Sequence, residues 1–173
     1  MRTIFVTIFQ GAEAKNILRT DIYKNLIANP EVRSVFLVGN QDRIDYYRKE
    51  FNAPNVAYEV AGMGQMGFWN RFFSNLKFYL LNTETADLRR EMILEETGNK
   101  RRYRLSRLVN KIFARPIVRK IVRFLDYFLV RDQFFTALFD KYKPSLVFCA
   151  HLFDDQETQL LREAKRRGVK TIG

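Results

Sequence analysis

The sequence holds a single cysteine and a single histidine in 173 residues. A lone thiol, Cys149, cannot form an internal disulfide, which points to a reducing compartment. A lone imidazole, His151, excludes a metal site built from several histidines, and no metal is assigned from the sequence. Four prolines and eight glycines are too few for a collagen-like or low-complexity chain. There is no apolar run of about 18 residues, so no transmembrane helix is expected. The opening MRTIFVTIFQ is short, alternating and without a small-residue cleavage site, so it reads as a strand and not a secretory signal. Acid is also scarce. Nineteen Asp and Glu face 30 Lys and Arg, a net charge of +11, and that excess calls for an anionic partner: nucleic acid, phospholipid headgroups or a phosphorylated substrate. What is plentiful is ordinary for a globular domain: 47% hydrophobic and 28% charged residues, in a length that suits one domain.

The periodicity predicts alternating strands and helices. Strands are expected at Thr3–Phe9, which is wholly β-branched and aromatic, and at Val32–Val38 and Val56–Val60. Gln10–Asn16 reads as a turn, with a helix over Ile17–Ala28 stopped by Asn29-Pro30, and a second helix over Asp42–Phe51. The pattern then breaks into helices: Phe68–Leu81, Thr83–Gly98, Lys100–Ala114, Ile117–Val130 and Asp132–Tyr142. It resumes with a strand at Ser145–Ala150, a helix over Asp154–Arg167 and a fifth strand from Val169 to Ile172. Short loops between β and α predict an α/β fold with an open parallel sheet of about five strands and a helical, basic insert between the third and fourth. A parallel strand is normally followed by a covering helix, so the chain reads as the front half of a longer polypeptide.

In such sheets the working crevice lies beyond the carboxyl ends of the strands. Four loops fall there: Gln10–Arg19, Gly39–Asp42, Gly62–Gly67 and His151–Asp155. In the first, Gly11 permits close backbone approach, and a helix start near Asn16 with Lys15 and Arg19 suits a phosphate or sugar hydroxyl group; a routine turn with solvated cations explains it equally well. Gly62, Gly64 and Gly67 match G-x-G-x-x-G. The match sits on the third strand, and the acid that follows, Asp87, falls inside a predicted helix, so a hinge or lid is expected there and not a dinucleotide loop. His151 follows a buried strand, with Asp154 and Asp155 close behind. An imidazole so placed can serve as a general base oriented by a carboxylate. Helix capping alone would account for Asp154, but not for His151. Cys149 reads as core.

Charge is concentrated in one stretch. Lys100–Arg131 carries eleven basic residues and one acid, Asp126. Arg101, Arg104, Lys111, Arg115, Arg119 and Arg123 are interleaved with apolar residues at helical spacing. One face is expected buried and the basic face outward, on an anionic membrane surface. Nucleic acid could use the same charges, although no recognised nucleic-acid motif accompanies them.

The opening IFVTIFQGAEAKNILRT, the VFLVG strand and the closing KPSLVFCAHLFDDQETQLLREAKRRGVKTIG together resemble the N-terminal, Rossmann-like half of GT-B-fold glycosyltransferase-like proteins. The resemblance is to those related to CDP-glycerol glycerophosphotransferases and to capsule and surface-polysaccharide biosynthesis enzymes. It implies an acceptor-side domain with no cofactor of its own, in a cytoplasmic protein peripheral to the inner face of the cell membrane. A nucleotide-sugar or CDP-linked donor would bind a C-terminal domain that is absent from this chain. On that resemblance Gly11, Asn16 and Arg19 face a glycan or lipid-linked acceptor, and His151 with Asp154 activates it. The contrasting expectations are a non-enzymatic α/β module binding nucleic acid through residues 100–131, and a flavodoxin-like regulator.

Overall fold

Nearly continuous apolar runs in the two central strands, buried on both faces, set up the architecture. The computed structural model describes residues 1–61, 67–151 and 155–173. Its strands are β1 (Arg2–Ile8), β2 (Val32–Val38), β3 (Val56–Val60), β4 (Leu146–Phe148) and β5 (Lys170–Ile172). They form one parallel sheet in the order β3-β2-β1-β4-β5. β1 pairs with β2 from Arg2 opposite Val32 to Ile8 opposite Val38, and with β4 from Ile4 opposite Leu146 to Val6 opposite Phe148. The α/β class and the open, Rossmann-like sheet expected from the sequence are therefore present.

Side chains alternate between the two faces of a strand, and each face has its own core. On one, Phe5, Phe9, Val35, Leu37, Val147 and Cys149 meet Phe135, Leu138 and Phe139 of α8 (Gln133–Tyr142) and Leu160 and Ala164 of α9 (Asp155–Arg166). On the other, Val6, Ile8, Phe36, Val38 and Tyr58 meet α1 (Gly11–Leu18), α2 (Asp21–Ala28) and α3 (Gln41–Glu50) through Ile17, Tyr23 and Ile44. Helices on both faces are what an all-parallel sheet requires, because neither face can be left wet. Glu59 of β3 accepts hydrogen bonds from Lys141 (2.5 Å) and the Tyr142 hydroxyl, fastening α8 across the sheet.

One boundary differs from the sequence expectation. Gly11–Asn16 is helical and not a turn, with Gln10 as its N-cap, and the expected helix over Ile17–Ala28 is split between α1 and α2. Glu13 explains the early start: its Oε2 accepts from the backbone N–H groups of Phe9 (2.6 Å) and Gln10 (3.1 Å), so the helix begins at Gly11. Thr20 then restarts the chain as the cap of α2 by accepting from the Ile22 amide.

The chain divides into two compact units, Met1–Gln65 with Asp132–Gly173, and Met66–Arg131. The second is helical: α4 (Phe68–Leu80), α5 (Glu84–Thr97), α6 (Lys100–Phe113) and α7 (Pro116–Leu129). Its turns are written locally. Thr83 caps α5, Gly98 closes it with a left-handed φ of 64°, Asn99 caps α6, and Pro116 opens α7. Phe73, Leu80, Val122 and Val130 form its core, with Leu76 and Val118 against them. Arg90, 3% exposed, holds the unit together with one guanidinium: it donates to the carbonyls of Phe78 and Leu81, to Ser106 Oγ and to Asp87. The acid of the basic segment, Asp126, is buried and paired with Lys77 of α4 at 3.0 Å.

Candidate functional site

The strand order places a topological switch between β1 and β4. From β1 the chain winds outward through β2 to β3, and from β4 it winds the opposite way to β5. Loops leaving two adjacent strands in opposite directions open a crevice at their carboxyl tips. His151 stands at the tip of β4. Glu13 reaches it from α1, on one face of the sheet, and Glu157 from α9, on the other.

The three side chains meet closely. Glu157 Oε2 lies 2.8 Å from His151 Nδ1, and Glu13 Oε1 lies 2.7 Å from Nε2. Both carboxylates are buried, Glu157 completely, while the imidazole keeps 17% of its side chain exposed. The remaining oxygens are occupied by the scaffold: Glu13 Oε2 caps α1, and Glu157 Oε1 accepts from Thr7 Oγ1 at 3.3 Å. Thr7 in turn accepts from the Ala150 amide at 3.0 Å, so β1, β4 and α9 are tied at this point. The ring is hydrogen-bonded to Glu157 through Nδ1, while Nε2 and Glu13 Oε1 meet as a close contact without hydrogen-bond geometry, so the two carboxylates fix the orientation of the ring from both sides of the sheet. Removing the Nε2 proton leaves a base already aligned by Glu157, the arrangement that general base catalysis needs. The same donor atoms lie within 4.8 Å of one another, the reach of one small cation, which would compete with that proton for Glu13 and Nε2.

Cys149, two residues before His151 in the chain, takes no part. It is 1% exposed, and burial together with Glu157 and Glu13 pushes its thiol up to about 12, far from a nucleophile's range.

The other residues singled out in the sequence fall elsewhere. Asp154 and residues 62–66 of the glycine loop lie outside the described residues. Gly67 caps α4 with an ordinary φ of −58°. Gly11 is exposed at the start of α1, with open space where a Cβ would stand. Asn16 is exposed in the body of α1 and not at a helix start. Arg19 ends that helix and pairs with Glu50 at 2.9 Å and the Tyr46 hydroxyl at 3.2 Å. Because the helix begins at Gly11 and rises about 1.5 Å per residue, Arg19 lies roughly 12 Å along the axis from the strand tips. Neither Asn16 nor Arg19 is brought to His151. In the Gly39–Asp42 loop, Asn40 caps α3, and Arg43 donates to the Phe9 carbonyl, bracing the tip of β1. Among the basic residues, Arg101, Arg104, Lys111, Arg115 and Arg123 are exposed and Arg119 is half-buried.

Glu13 and Glu157 were not singled out in the sequence, although a signal was there. Each is the third residue of a helix that directly follows one of the two strands at the switch, and the lone histidine sits in one of those loops. Comparison of the chain with protein-family models, with curated proteins and with solved structures finds no match to any of them.

Proposed function

We propose that this chain is the acceptor-side half of a glycosyltransferase-like enzyme. It would hold an alcohol that receives a sugar or glycerol-phosphate-type unit from a nucleotide-activated donor. The acceptor would be a surface glycan or a lipid-linked precursor, met at the cytoplasmic face of the membrane. The observation that carries the reading is the convergence of Glu13, His151 and Glu157 at the carboxyl tips of the two strands flanking the switch. The resemblance of the opening and closing segments to GT-B proteins supports the same reading.

In this reading the acceptor hydroxyl displaces Glu13 from Nε2, which is buried at rest, and gives its proton to Nε2 as its oxygen bonds to the transferred unit and the donor's bond to its nucleotide breaks, the nucleotide leaving with that electron pair. Glu157, on Nδ1, stabilises the imidazolium that forms, the part the sequence had reserved for Asp154. The donor and its phosphates would be held by a second half outside this chain.

Nucleotide release from activated donors, measured on the whole protein with glycan and glycerol-phosphate acceptors, tests it. His151→Ala is expected to lower turnover by about a hundredfold or more with the fold intact. Turnover equal to wild type in that variant would remove His151 from the chemistry.

A further inference from the structure

The helix α7 carries two apolar stripes, and only one is covered. Val118 and Val122 pack with Phe73 and Leu80 of α4. Ile117, Ile121, Phe124 and Phe128 recur at steps of four, three and four, which aligns them on a separate stripe. That stripe faces out: the four side chains are 71%, 53%, 61% and 55% exposed. The rings of Phe124 and Phe128 lie 4.6 Å apart, so the surface is continuous apolar matter and not scattered side chains.

Lys120 and Arg123 are exposed on the same helix, and Arg115 caps its start. At that corner Arg115 also lines a cavity of about 600 Å³, shared with Arg104, Arg107 and Lys111 of α6. The one acid of the segment, Asp126, is turned inward onto Lys77, and the one carboxylate lining the cavity, Asp87, is paired with Arg90, which leaves the four cations in excess there.

We infer that α7 docks in the plane of an anionic lipid bilayer, with Ile117, Ile121, Phe124 and Phe128 in the acyl boundary. Arg115, Lys120 and Arg123 lie at headgroup level, and the α6 cavity receives a lipid phosphate. Charge decides the occupant. A second copy would bring the same cationic rim against this one, and a nucleic acid backbone would leave the apolar stripe wet. An anionic membrane satisfies both the stripe and its rim. The helix lies on the surface and does not cross it, since no described helix is long and apolar enough to span a membrane. This inference is independent of the transfer chemistry at His151.

Co-sedimentation with vesicles tests it. Wild-type chain is expected to pellet with phosphatidylcholine vesicles containing phosphatidylglycerol and to stay in solution with phosphatidylcholine alone. Phe124→Ser with Phe128→Ser, both exposed and away from the unit's core, should weaken binding about tenfold or more with an unchanged circular dichroism spectrum. Lys120→Glu with Arg123→Glu should reduce it by at least about tenfold. Inorganic phosphate that competes only at the cavity should leave the apolar contribution intact; full release of the protein by phosphate alone would overturn the bilayer assignment. So would wild-type pelleting by the Phe124/Phe128 variant. A dimer dispersed by that variant, or RNA binding that ignores it, would likewise replace the membrane with another partner.

Discussion

The α/β unit and the helical unit treat their apolar residues in opposite ways. In the first, the interiors of β1 and β2 bury successive side chains on both faces, so Phe5, Val6, Ile8, Phe36 and Leu37 are all at most 2% exposed. In the second, sixteen large apolar side chains are exposed among the described residues, against five in the α/β unit. A sheet with helices on both faces closes its own core. Four helices held by Phe73, Leu80, Val122 and Val130, with Arg90 supplying the polar joint, do not cover all they present. The comparison teaches that the first unit closes its own core, whereas the second leaves much of its apolar surface uncovered.

Truncating one aromatic in each unit is the sharpest way to break that contrast. Phe36→Ala, at 0% exposure, should cost about 3–5 kcal/mol in denaturant unfolding, and Phe124→Ala about 0.5 kcal/mol or less. Equal costs would mean that α7 is covered within the chain. The next effect is confined to the helical unit. Arg90→Ala strips donors from the Phe78 and Leu81 carbonyls and should cost about 2–3 kcal/mol, read as lost amide protection in α4–α6 with β1 and β2 unchanged.

The smallest effect belongs to the α/β unit. Burial works against ionisation of Glu59, but hydrogen bonds from Lys141 and Tyr142 outweigh it and hold the carboxyl below its usual range. A folded-state pKa below the unfolded one adds stability above the unfolded value and loses it as pH falls through the folded value. Stability should therefore drop on acidification below the ordinary carboxylate range. Glu59→Gln should flatten that drop by about 1 kcal/mol or less, because Lys141 is largely exposed.

Most of the architecture was legible because it is written in local patterns. The strand runs Val32–Val38 and Val56–Val60 appear where the spacing puts them, and Thr83, Gly98 and Pro116 mark helix ends that the structure keeps. The first helix was misjudged. Glu13 starts it at Gly11, and a side chain reaching back to two amides leaves no trace in hydrophobic periodicity. For the same reason Asn16 and Arg19, expected near a helix start, lie in the body and at the end of α1. Of the candidate site, His151 was legible as a lone imidazole beyond a buried strand, whereas its two carboxylates, each third in a helix that follows a switch strand, become legible only once the strand order is known.

The sequence by itself determined the alternation of strands and helices, the two-faced cores and the concentration of positive charge in residues 100–131, because each depends on neighbours a few positions apart. Only the tertiary structure decided the rest. The pairing of β1 with β4 brings Glu13 to His151 from the far end of the chain, and burial cannot leave such groups unpartnered. The packing of α7 on α4 chose which of its two apolar stripes is hidden; periodicity shows both stripes, but coverage depends on which neighbour arrives.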